Sequence, residues 1–171
     1  MALLKIRELQ KKLGYKFRKK KLLIQALTHP TFSDVEKKKK KGARDCPHQQ
    51  AFSTLGDAVL KTGLILLLMD KKLKTKGDIT ISKAYFENNP KLADVGKRLQ
   101  LLENDLILHT IKNPEKLEEA SETMCADTVE AIIAAIFIDS KFSMKKTKKC
   151  IQKIFAEELE ELKKFGDLTR S

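Results

Sequence analysis

Oxidising chemistry has little to work with in this chain. Its three cysteines, Cys46, Cys125 and Cys150, are odd in number and include no Cys-x-x-Cys pair. That argues against a disulfide framework or a structural zinc site and points to a reducing compartment. His29, His48 and His109 also lack metal-ligand spacing and read as structural or solvated residues. No secretory signal is read at the start, because Met1-Ala2-Leu3-Leu4 runs straight into an amphipathic pattern. The apolar run from Gly63 to Met69 is far short of the ~20 residues that cross a bilayer. Nothing alternates at period two beyond a weak trace near Ile79-Thr80-Ile81, and no internal repeat is visible. These absences predict a soluble intracellular protein, cytoplasmic or nuclear, with no membrane and no small-molecule cofactor. They also predict one all-α domain over residues 1–171, with a core at about 13–156 and a helical tail at 157–171.

Positive charge, by contrast, is abundant. Lysine and arginine number 35 against 23 aspartates and glutamates, a formal net charge of +12, so a polyanion is the natural partner. The lysines are spread over several segments and not confined to one amphipathic helix, which favours nucleic acid over a membrane surface. A hydrophobic fraction of 42% is enough for a globular core.

Apolar spacing predicts a helix over residues 2–13, with Gly14 at its C-cap, and a second from about Lys19 to Leu27, stopped by His29-Pro30. Residues 33–48 read as a loop, because Lys37, Lys38, Lys39, Lys40 and Lys41 repel one another. That block is either a solvated loop or a phosphate-contacting arm. Residues 49–70 are apolar nearly all round and should form the central helix. Its inward stripe is predicted as Leu55, Ala58, Val59, Thr62, Ile65, Leu66 and Met69, with Gly56 and Gly63 allowing close packing. Asp78 is a candidate cap for a helix carrying Tyr85 and Phe86, and Asn89, followed by Pro90, caps the next. A long helix from about Glu115 to Asp139 and a last one carrying Ile151, Ile154, Phe155, Leu159 and Leu162 complete the set.

Between Ala51 and Met69 only Asp57 and Lys61 are charged, and between Thr123 and Ile138 only Asp127 and Glu130. A carboxylate in such surroundings must be exposed, paired or bound to a cation, because a buried unpaired charge is costly. Asp127 and Glu130 project from adjacent turns of one helix face and repel unless a cation intervenes or one is protonated. Pairing of each acid with a nearby lysine is the plain alternative. Acidic oxygen clusters select hard cations, meaning Mg²⁺ or Mn²⁺. If Asp57 faces the pair, the three can hold one or two such ions, whose bound water attacks phosphodiesters.

Leu55-Gly56-Asp57-Ala58-Val59-Leu60 resembles the heart of the ribonuclease III signature, N-E-R-L-E-F-L-G-D-A-V-L. Ala126 to Asp139 resembles its second acidic segment, A-D-x-x-E-A-L-I-G-A-I-Y-L-D. Leu13-Gly14-Tyr15-x-Phe17, Ala26 to Phe32, Gly77 to Thr80 with Lys83, and Asn89 to Ala93 are similar, in the same order, to four further family motifs. The resemblance spans about residues 13 to 156. It implies a helical endonuclease domain that pairs with a second copy across the central helix, a homodimer. It further implies Mg²⁺-dependent cleavage of double-stranded RNA, with Mn²⁺ able to substitute, leaving 5′-phosphate and 3′-hydroxyl ends and short 3′ overhangs.

By position, the resemblance assigns catalysis and metal binding to Asp57, Asp127 and Glu130. The family's fourth acid falls on Ser53, whose hydroxyl is a weak or water-mediated ligand without charge, and Gln50 replaces the other signature glutamate. Ser53 also reads as a packing residue. The family's double-stranded RNA-binding domain is expected to be absent, so RNA contacts fall to Lys37–Lys41 and Lys83, although Lys83 equally suits a solvated helix face. The rival readings are a weakened or inactive module that binds RNA or dimerises with a partner, and a generic basic helical interaction protein.

Overall fold

The computed structural model describes residues 2–39, 47–70, 75–77, 80, 85, 86 and 88–161. Its helices are α1 (Ala2–Leu13), α2 (Lys20–Ala26), α3 (Pro30–Lys39), α4 (Gln50–Asp70), α5 (Asn89–Arg98), α6 (Pro114–Asp139) and α7 (Met144–Ile154). No strand forms among the described residues, where one isolated parallel bridge joins Thr28 to Leu108. The fold is all-α.

The second half of α6 is apolar on every side, so it must be enclosed, and Ala131 through Ile136 are all fully buried. Helix α4 lies along it, α5 covers another flank, and α2 and α7 complete the wall. Small residues set how closely these helices approach. A Cβ added at Gly56 would run into the Glu130 carbonyl, and one added at Gly63 would meet the tip of Ile151 on α7. Gly96 on α5 abuts Cys125 in the same way, with a Cβ there only 2.8 Å from that of Cys125. The Gly56 contact brings α4 and α6 together backbone to backbone beside their acids.

The far end of α6 is clamped by Asp139. Its carboxylate accepts the Arg18 and Lys19 amides at 2.9 and 2.8 Å and the Tyr15 hydroxyl at 2.9 Å. Burial opposes the charge, but these donors outweigh it and hold the Asp139 carboxyl below its ordinary range. Burial and the same carboxylate push the Tyr15 hydroxyl up to about 12.

Several expectations need correction. The buried face of α4 is Gly56, Val59, Leu60, Gly63, Leu64, Leu67 and Leu68, whereas Ala58, Thr62 and Met69 are exposed. A helix apolar all round has no readable stripe, and the glycines decided which side meets α6 and α7. Pro30 does not merely end α2. It opens α3, which carries helix through Val35 to Lys39 where a loop was predicted. Proline suits a first turn, and its fixed φ prepares the helix even as it terminates the previous one. The cap of α5 is Asn88, whose side chain accepts the Lys91 amide at 2.9 Å, so Asn89 is the first helical residue and not the cap. By length and composition α4 as a whole could cross a membrane, because its neutral serines and threonines scarcely lower its hydropathy, yet it is the core helix of this fold. The candidates Lys40, Lys41, Asp78 and Lys83, together with Cys46 and Leu162, lie outside the described residues, as do the side chains of Lys37, Lys38 and Lys39.

Candidate active site

Asp57 follows Gly56 on α4, so the contact that brings Gly56 onto the Glu130 carbonyl also delivers Asp57 to the acidic turn of α6. The Asp57 carboxylate is 38% exposed and accepts a hydrogen bond from Lys61 Nζ at 2.7 Å, one turn along the same helix. Asp127 and Glu130 are both half-buried. Burial first, then the charges of Asp57 and Asp127, push the Glu130 carboxyl up to about 7, with Lys61 opposing them. Burial alone raises Asp127. The structure therefore places all three predicted acids in one electrostatic neighbourhood.

Ser53 lies one turn before Asp57, and its hydroxyl donates to the Gln50 carbonyl at 3.1 Å. It adds no charge to the site. Among the described residues no three acidic, histidine or cysteine side chains converge as a ready-made ion cage. The donors are nonetheless all hard oxygens, and Mg²⁺ commonly takes one or two carboxylates and keeps waters for its remaining positions. The residues present thus fit a hydrated hard cation and not a rigid protein shell.

For Asp57 the lysine pairing expected as the plain alternative is present, with Lys61 at i+4, a spacing that favours pairing on a helix. Gln49, in contrast, left no signal in the sequence. It is fully buried just before α4, its backbone N–H donates to the Thr28 carbonyl at 2.9 Å, and its Oε1 accepts from Thr128 Oγ1 at 2.9 Å. Thr128 adjoins Asp127, so Gln49 ties the start of α4 to the acidic turn of α6 across 79 residues of chain.

The histidines also gather without any regular spacing. Burial, then the charges of His109 and His48, lowers the pKa of His29, with Asp34 opposing. No metal-holding group results among the described residues. Cys125 and Cys150 are free and buried, and burial drives the Cys125 thiol up to about 11, which makes it a poor nucleophile.

A family model described as ribonuclease-III-like matches residues 19–159. The chain belongs to that family. Ribonuclease 3 of Aquifex aeolicus (strain VF5) is 30% identical over 155 residues, covering 90% of this chain and 62% of the relative. Ribonuclease 3 of Proteus mirabilis (strain HI4320) is 32% identical over 144 residues, covering 82% of this chain and 56% of the relative. The chain therefore spans about three fifths of the length of such curated ribonuclease III relatives. Two solved structures of the nuclease domain of ribonuclease III from Campylobacter jejuni superpose with TM-scores of 0.68 and 0.69 at 30% and 28% identity. They cover 88% and 89% of this chain, which in turn covers 99% and 95% of theirs. What this chain shares with ribonuclease III is thus nearly all of the nuclease domain.

Proposed function

We propose that this chain is a divalent-metal-dependent endoribonuclease that cuts double-stranded RNA, leaving 5′-phosphate and 3′-hydroxyl ends with short 3′ overhangs. The observation that carries this reading is the electrostatic neighbourhood of Asp57, Asp127 and Glu130 within a ribonuclease III-like fold. Asp57, Asp127 and Glu130 are the residues that would hold Mg²⁺ or Mn²⁺, with Ser53 beside them through water. Such an ion, when bound, activates water and neutralises charge on the phosphate.

The chain's own residues prepare that chemistry. Glu130, raised to about 7, gives up its proton readily near neutral pH, and its carboxylate then has the charge to bind a cation and accept hydrogen bonds from water. The Gly56 contact keeps Asp57 and Glu130 on facing helices at fixed spacing. The lysine excess supplies phosphate contacts, with Lys37 to Lys41 and Lys83 as candidates. Pairing with a second copy across α4 is supported by its exposed Ala58, Thr62 and Met69, and one Campylobacter jejuni structure concerns a region involved in dimer formation of its nuclease domain. Buried free thiols suit an intracellular setting.

A second reading has its own support. Ser53 brings no charge, and Lys61 occupies an Asp57 oxygen, which together favour a weakened or inactive module that binds RNA. Incubating duplex RNA with the protein and Mg²⁺ or Mn²⁺ separates the two. The enzyme reading expects cleavage that disappears in Asp57→Asn and duplex binding that weakens steeply with salt. Salt-sensitive binding with no cleavage even at high Mn²⁺ would transfer the chain to the second reading.

A further inference from the structure

Helix α4 carries one basic residue, Lys61, and it is spent on the acid at the centre of the site. Its ammonium is 2.7 Å from Asp57 Oδ2. Its charge also reaches Glu130, where it opposes Asp57 and Asp127. Among the described residues, Lys61 is the positive group that acts on Glu130. We infer that Lys61 is the acidic site's resident counter-ion, which holds Asp57 while no divalent ion is bound and swings clear when one binds. This inference rests on the metal-dependent function proposed above.

The geometry supports both halves of the exchange. Asp57 and Asp127 both repel a charge on Glu130, and an ammonium beside Asp57 relieves part of that repulsion. A divalent ion on Asp57 competes with Lys61 for Oδ2 and is repelled by the ammonium beside it. At about 5 Å in near-aqueous surroundings, a unit positive charge weakens binding of a divalent ion by about tenfold before salt screening. The Asp57–Lys61 pair is weak enough to release. Both partners are about two-fifths exposed, at 41% for Lys61 and 38% for Asp57, and an exposed i,i+4 pair shifts an equilibrium by only about twofold. The lysine stem is long and flexible, so it can withdraw to solvent without moving α4.

The test is calorimetric titration of Mn²⁺ into the full chain, with no RNA present, for the parent protein, Lys61→Met, Lys61→Arg and Asp57→Asn. Lys61→Met should tighten Mn²⁺ by about three- to tenfold, Lys61→Arg should stay within about twofold of the parent, and Asp57→Asn should weaken binding. The Mn²⁺-induced rise in melting temperature should be larger for Lys61→Met than for the parent. If Asp57→Asn weakens binding but Lys61→Met leaves it unchanged or weaker, the counter-ion role is overturned and the metal-site reading stands. If no variant differs from the parent, or none binds Mn²⁺, the metal site itself is overturned and the counter-ion role falls with it.

Discussion

Adding one methyl group at Gly56 tests the packing that assembles the acidic site. In Gly56→Ala the new Cβ would overlap the Glu130 carbonyl and lie 3.0 Å from the Glu130 Cα, all of it backbone that cannot rotate away. Ordinary carbon contacts lie at about 3.5–4.0 Å, so α4 and α6 must part locally. Overpacking of this kind costs about 1–3 kcal/mol, and immovable neighbours place Gly56 at or above the upper end. Alanine returns about 1 kcal/mol through its better helix propensity. The net loss is therefore about 2–3 kcal/mol, or about 5–10 °C in melting temperature for a chain of this size. Gly63→Ala provides the internal control, because its Cβ meets only the tip of Ile151, a side chain able to turn aside. There the packing cost and the propensity gain should nearly cancel. Circular-dichroism melts of the two variants decide the matter. Mn²⁺ titration should also weaken in Gly56→Ala alone, since only that contact carries Glu130. A Gly56→Ala protein that melts with the parent, or a Gly63→Ala protein that fares worse, would refute the close-contact account.

Glu130 sits at about 7 against an ordinary 4.5, so between those values the native state holds more protons than the unfolded chain, and stability falls as pH rises through that window. Discounted for solvent screening, the loss is about 1 kcal/mol, and Glu130→Gln should remove it. Urea melts at pH 5 and pH 8 check this, and an unchanged pH dependence in the variant counts against it. Metal affinity should rise over the same window as the Glu130 proton leaves, readable by calorimetry at pH 6 and pH 8. Asp139→Ala strands the Arg18 and Lys19 amides and the Tyr15 hydroxyl, and should cost about 3 kcal/mol. Because the folded Asp139 carboxyl lies below its ordinary 3.8, its contribution is present above that pH and disappears as pH falls through the folded value. The acid limb of the parent's stability curve should accordingly be steeper than that of the variant, as followed by acid titration of the circular-dichroism signal.

Much of the helical order was legible because local rules govern it. Gly14 takes φ +67°, as a helix C-cap glycine does, and the long helix expected from about Glu115 to Asp139 forms as Pro114–Asp139. The burial of Leu92 and Val95 on α5, and of Leu99 at its C-cap, follows directly from 3.6-residue spacing. Where local rules offered two answers, the reading went astray. Asn88 and Asn89 both qualify as caps, and only the backbone turn chose Asn88. The lysine block suggested a loop, whereas α3 begins upstream at a proline whose chemistry allows either outcome.

The sequence by itself determined that this chain is helical, that it is strongly basic, and that Asp57, Asp127 and Glu130 are isolated carboxylates on two apolar segments. Spacing and composition are sufficient for those statements, because they depend on residues within a few turns of one another. Tertiary structure decided which face of α4 turns inward, since hydropathy is nearly uniform around that helix and only the glycine contacts with Glu130 and Ile151 break the symmetry. It also decided that the three acids share one field, that Glu130 is raised toward neutrality, and that Gln49 reaches Thr128. Charge coupling between Asp57 and Glu130 and the buried Gln49–Thr128 hydrogen bond depend on distance in space, and their long separations along the chain leave no local trace of either.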